Sequence, residues 1–125
     1  KSDLVSLLEA AVEGRLNEVE AEWDPRYALG VVMAAANYPD TPRKGDAISG
    51  LSDARGDDFH VFHAGTELQG DQVVTAGGRV LCVTALGDTV KMAQTRAYEA
   101  AEMIDFDGRQ MRRDIGWRAI GRKKK

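Results

Sequence analysis

Two histidines, a lone cysteine and several clustered cations are the residues in this chain whose types can carry chemistry. His60 and His63 invite a metal ion, yet residues an odd number of positions apart on a regular strand point to opposite faces. Zinc would also want further His, Cys or carboxylate ligands. Strand packing and local hydrogen bonding are the simpler reading, and we assign no metal site. Cys82 stands in the apolar run Val80-Leu81-Cys82-Val83. A small buried thiol is favoured there over a nucleophile, because reactivity needs exposure and a lowered pKa. A single cysteine forms no internal disulfide and no multi-cysteine zinc site, which suits a reducing compartment such as the cytosol.

The cations are more informative. Thr75-Ala76-Gly77-Gly78-Arg79 combines glycines with a guanidinium that can meet an anion. It precedes a strand pattern rather than opening a helix, unlike a P-loop, and a turn that lets two strands rejoin is the simpler account. Arg43-Lys44-Gly45-Asp46 stays open between two readings. One is a phosphate-facing loop with Lys44 as a mobile point charge; the other is an ordinary solvated turn. In Arg112-Arg113-Asp114-Ile115-Gly116-Trp117-Arg118 an internal Arg–Asp pair would be a structural clamp, whereas a free guanidinium would fork onto a phosphate or carboxylate. We favour the clamp. Arg122-Lys123-Lys124-Lys125 lacks an interleaved aromatic platform, so a disordered solubilising tail is favoured over nucleic-acid binding. No nucleophile has an obvious base, no loop suits a triphosphate and no dense carboxylate group suits a divalent metal, so no catalytic residue is named. By themselves these residues describe a binding or auxiliary domain.

The framework that must position them fits one compact domain of 125 residues. With 43% hydrophobic residues, 30% charged residues and only 3 Pro, the chain falls outside disordered and low-complexity classes. No apolar run reaches the roughly 18 to 20 residues that cross a bilayer, so membrane insertion is disfavoured. The net charge of -3 is uneven: residues 1–108 hold 9 Lys/Arg against 19 Asp/Glu, a net of -10, and residues 109–125 hold 8 against Asp114 alone, a net of +7. A basic end of this kind marks a site for phosphate, nucleic acid or an acidic partner surface.

Ser2 or Asp3 caps a helix whose stripe Leu4, Leu8, Ala11 and Val12 stops at Gly14. Leu16, Val19 and Trp23 space a second helical stretch, ended by the Asp24-Pro25 step. The run 28–36, closed by Asn37-Tyr38-Pro39-Asp40, predicts a strand covered on both faces. Ile48 and Leu51 flank a short extended piece. Residues 59–68 and 72–75 surround Gln69-Gly70-Asp71 and predict an antiparallel hairpin. Residues 79–84 predict a strand buried on both sides. Asp88 is the expected N-cap of a helix whose face, Val90, Ala93, Ala97, Ala101 and Ile104, lies across the sheet. The expected fold class is α+β, a mainly antiparallel sheet with flanking helices. It comprises one domain over residues 1–121, divided into an opening helical segment 1–23 and a sheet-and-helix body 24–121, followed by a basic tail 122–125.

Taken in order, Lys1-Ser2-Asp3-Leu4, Trp23-Asp24-Pro25-Arg26, Lys44-Gly45-Asp46, His63-Ala64-Gly65-Thr66, Gly77-Gly78-Arg79-Val80-Leu81 and Arg113-Asp114-Ile115-Gly116 become informative together. With Val83-Thr84-Ala85-Leu86-Gly87-Asp88-Thr89 added, the chain resembles the carboxy-terminal part of the phosphoribosylamine–glycine ligases, or glycinamide ribonucleotide synthetases. Each motif is weak alone; their order and spacing across residues 1–121 make the resemblance specific. It implies an ATP-grasp ligase of purine biosynthesis that joins glycine to 5-phosphoribosylamine through glycyl phosphate, releasing ADP and phosphate. In such ligases ATP lies between two ATP-grasp subdomains, with acidic and Asn side chains holding magnesium (or manganese), and those parts lie upstream.

The resemblance therefore implies a closing domain that binds neither ATP nor metal by itself and is inactive alone. Its partners are then the upstream ATP-grasp portion of the same protein, glycine and 5-phosphoribosylamine, in the cytoplasm. We expect Lys44 and Arg113 to face the phosphoribosylamine side, with Gly45, Asp46, Gly78 and Arg79 shaping nearby loops. The start without an initiator Met leads us to expect a fragment or processed product, whose opening helix and 28–36 strand meet the rest of the ligase. The alternative is a non-enzymatic anion-binding or protein-interaction module; a basic RNA-binding domain is a distant third.

Overall fold

The computed structural model describes residues 1–121; the predicted basic tail, 122–125, lies outside the described residues. Asp3 opens the first helix, α1 (Leu4–Val12), by accepting the amides of Val5 and Ser6 on its carboxylate. The helical stretch expected from Leu16 to Trp23 is reduced to a 3-10 turn, Leu16–Glu18. Leu16 and Trp23 stay exposed, and a short helix without a packing partner does not hold itself together. The Trp23-Asp24-Pro25-Arg26 junction is fixed instead by charge. Arg26 pairs with Asp24 at 2.8 Å and with Asp58 at 2.9 Å, and Asp58 also meets Arg96 at 3.2 Å.

Five strands follow: β1 (Tyr27–Ala34), β2 (Phe59–His63), β3 (Thr66–Gln69), β4 (Gln72–Thr75) and β5 (Arg79–Gly87). An antiparallel sheet in the order β1-β5-β2 forms the body, and β3-β4 is a separate hairpin joined through Gly70 and Asp71. The fold is α+β, with antiparallel sheets and two helices, as expected. The single strand expected over 59–68 breaks at Ala64-Gly65. Here the chain leaving β2 crosses the chain entering β5: the Ala64 and Gly65 amides both donate to Val80 O at 3.0 Å, and Ala76 N donates to Gly65 O at 2.8 Å. A Cβ on Gly65 would lie 2.6 Å from Arg79 O, so only glycine lets the two backbones come this close.

The second helix, α2 (Val90–Glu102), packs on β1 and β5. Its N-cap is Thr89 rather than Asp88, the hydroxyl accepting Met92 N at 3.1 Å; either side chain can cap, and adjacent candidates leave the boundary open by a residue in the sequence. Ala93, Ala97, Ala100 and Ala101 are buried beneath it, small side chains that let the helix axis approach the sheet. They close over a core containing Leu29, Val31, Met33, Val83 and Ala85. The two strands expected to be covered on both faces are covered on one. Along β1, Leu29, Val31 and Met33 are buried while Ala28, Gly30 and Val32 are exposed, and β5 leaves Cys82, Thr84 and Leu86 only half-buried. An unbroken apolar run is compatible with either arrangement, and α2 covers just one side.

Candidate functional site

The uncovered face of the sheet carries the site. Strand register sets Val32, Cys82 and Phe62 in one row across the three strands, and Gly30, Thr84 and His60 in the next. Next to these rows the surface deepens into two adjoining hollows that share Val32, Tyr38 and Arg79. One, about 480 Å³, is walled by Gln110, Met111, Arg112 and Ile115. The other, about 600 Å³, is walled by Pro42, Gly65, Gly77, Gly78 and Cys82.

Arg79 occupies the ridge between them because β5 begins there, opposite Ala34, where the β1–β5 register shifts. The ion pairs among the described residues engage Arg15, Arg26, Arg43, Arg96, Arg109, Arg112 and Arg113, and Arg79 is in none of them. It is an exposed fork of donors at a concave surface, suited to a phosphate or carboxylate. Gly78 makes room for the neighbouring wall. A Cβ there would lie 2.4 Å from the Tyr38 ring and 3.1 Å from Pro42, so glycine lets both close onto the start of the strand.

The opposite wall is tied to the edge of β1. Gln110 exchanges backbone hydrogen bonds with Ala34 at 2.7 and 2.9 Å, and its amide donates to Ala35 O at 2.8 Å. Arg112 then grips Asp114 through Nε and Nη2, at 2.9 and 2.7 Å. This is the clamp favoured by the sequence, with Nη1 outside the pair. These bonds from the guanidinium hold the Asp114 carboxyl below its ordinary range and push Arg112 up.

The residues singled out in the sequence separate accordingly. Gly78 and Arg79 line the hollows. Lys44 is exposed on the 40–46 loop and is not among the lining residues. Its neighbours are structural: Gly45 N donates to Thr75 O at 2.7 Å, and Asp46 accepts from Arg43 at 2.8 Å. Arg43, next to Lys44 in the sequence, also reaches Asp107 and anchors the loop. Arg113 is bound to Glu102 beyond the C-terminal end of α2. His63 Nδ1 sits 3.0 Å from Thr66 Oγ1, and His60 meets the Phe62 ring edge-on at 4.5 Å. Cys82 is half-buried beside Thr84 rather than sealed in the core. Tyr38, Gln110 and the unclamped side of Arg112 were not named as site residues; the excess of cations after residue 108 was the one signal pointing towards the latter two, and Tyr38 had none.

Residues 28–118 match the family described as phosphoribosylglycinamide synthetase, C domain. The chain belongs to this family. The domain is 58% identical over 122 residues to the phosphoribosylamine–glycine ligase of Vibrio cholerae, covering 98% of this chain and 28% of that protein. It is 59% identical over 123 residues to the ligase of Escherichia coli O157:H7, covering 98% of this chain and 29% of that protein. Its fold is similar to the crystal structure of the phosphoribosylamine–glycine ligase from Thermotoga maritima, with a TM-score of 0.68 and 35% identity over 86% of this chain and 27% of that one. The C domain thus spans under a third of the length of these relatives.

Among the described residues no group of three or more His, Cys, Asp or Glu side chains is arranged to hold a metal ion. No step through a metal ion is assigned to these residues. No helix among these residues is long and apolar enough to cross a membrane.

Proposed function

We propose that this chain is the C domain of a cytoplasmic ATP-dependent ligase of purine biosynthesis and forms one wall of the cleft where glycine is joined to 5-phosphoribosylamine. ATP and magnesium or manganese bind to the upstream ATP-grasp portion, which also generates glycyl phosphate. This domain receives the phosphoribosylamine. Arg79 carries the proposal, as an exposed guanidinium on the ridge between two hollows that is in no ion pair among the described residues. A doubly charged phosphate ester would be held between Arg79 and the unclamped side of Arg112, which line the same hollow. Lys44 follows Pro42 of the groove wall on an exposed loop that Gly45 and Asp46 hold in place. Gly78 keeps Tyr38 against the ridge, and Arg113 anchors the far side through Glu102.

The chemistry needs such a wall. An acyl phosphate is lost to water unless the cleft excludes solvent, and attack requires the amine to be held in line with the carbonyl carbon. Val32, Tyr38 and Met111 supply apolar surface around the cations. The C domain alone, without the activating machinery, is expected to make no product.

In the full-length ligase, Arg79→Ala should raise KM for 5-phosphoribosylamine about tenfold or more, the cost of one charge-assisted bond, with KM for ATP changed less than about twofold. Arg79→Lys should fall between, since an ammonium keeps the charge and loses the fork. An unchanged KM for 5-phosphoribosylamine in Arg79→Ala would remove this groove from the substrate site.

A further inference from the structure

The groove wall that carries Arg112 is held from behind by α2. The Tyr98 hydroxyl donates to Arg112 O at 2.7 Å and accepts from Ile115 N at 3.1 Å, so one oxygen pins both ends of the 112–115 turn. One helical turn earlier, Gln94 Nε2 donates to Ile115 O at 2.8 Å. The Tyr98 ring packs on the cluster of Leu29, Val31 and the buried alanines of α2, which fixes where its hydroxyl can reach. These three bonds define the backbone from which Arg112 and Ile115 enter the hollow.

We infer that Tyr98, seconded by Gln94, is a positioning residue for 5-phosphoribosylamine: it touches no substrate and sets the separation of Arg112 from Arg79. The inference rests on the groove being the substrate site. A phosphate held between the Arg79 fork and Nη1 of Arg112 is sensitive to their spacing, because a hydrogen bond weakens steeply away from its preferred length and angle. Tyr98→Phe keeps the packed ring and deletes donor and acceptor together, so the domain should still fold while the 112–115 turn loosens.

The test compares Tyr98→Phe, Gln94→Ala and Arg79→Ala in the full-length ligase. Tyr98→Phe should raise KM for 5-phosphoribosylamine about three- to tenfold, leaving kcat and KM for ATP within about twofold. Hydrogen exchange at the Ile115 amide should quicken, and Gln94→Ala should shift the same KM in the same direction by less. A merely structural Tyr98 would lower the melting temperature or the active fraction with KM intact, and that result overturns the inference. If Arg79→Ala raises KM and Tyr98→Phe does not, positioning by Tyr98 fails and the groove stands. If Arg79→Ala leaves KM unchanged, the reading of the groove fails and the inference falls with it.

Discussion

Glu102 ties down two arginines of the basic C-terminal stretch. Its carboxylate holds Arg113, and it accepts from Arg109 Nη2 at 2.9 Å. Arg109 also donates to Ala101 O at 3.1 Å and to Ile104 O at 2.7 Å, placing a cation at the C-terminal end of α2. The excess positive charge read from the sequence is therefore partly consumed in architecture, and Arg79, from outside that stretch, faces the groove. Arg113 and then Arg109 hold the Glu102 carboxyl below its usual value. A carboxyl whose folded pKa lies below its unfolded one adds stability above the ordinary glutamate range, about pH 4. That increment is lost as pH falls through the depressed folded value. The group is well exposed, so the increment is modest. Glu102→Gln should make the acid limb shallower in thermal melts taken from about pH 7 to about pH 2. An unaltered slope would show that the pair adds nothing. Such pairings were illegible in the sequence: Arg112, Arg113 and Asp114 are adjacent, and nothing in their order says that Glu102 claims Arg113.

Helix α2 shows what a periodic pattern does and does not say. Its buried face, Ala93, Ala97 and Ala101, was legible because alanines recurring at four-residue intervals mark one side of a helix. That these positions are small for a steric reason became clear only against the sheet, where each is fully buried. Ala97→Leu should therefore destabilise the domain by about 1–3 kcal/mol through overpacking, measured by urea unfolding; a variant as stable as the parent would mean that the helix–sheet spacing is loose. The strands were legible as elements, but the number of their covered faces was not. Residues 28–36 read as doubly buried because Gly30 and the alanines hide the alternation that Leu29, Val31 and Met33 follow. The hollows exist because that face was left open.

At the scale of the whole molecule, α1 stands apart from the core. Leu4, Val5, Leu8 and Val12 are all exposed, Val12 at 89%, while Ala10 is the one buried residue of the helix. The family match starts at residue 28, whereas the alignment to the V. cholerae ligase takes in 98% of the chain. In the ligase proposed above, an amphipathic helix with an open apolar stripe would meet the remainder of the protein. In isolation it should make the chain self-associate as concentration rises. Light scattering coupled to size exclusion should show this, and Leu8→Lys with Val12→Lys should restore a monomer. A parent chain that stays monomeric over a wide concentration range would contradict the expectation. The sequence by itself determined the family, the α+β class, the hairpin turn and the two helices, because periodicity, capping residues and the order of short motifs are local properties of the chain. Only the tertiary structure decided that Arg79 is in no ion pair among the described residues, that Arg113 is in one, and that one sheet face is open. Those outcomes depend on which distant side chains meet, and contacts such as Glu102 with Arg113 or Tyr38 with Gly78 have no signature along the sequence.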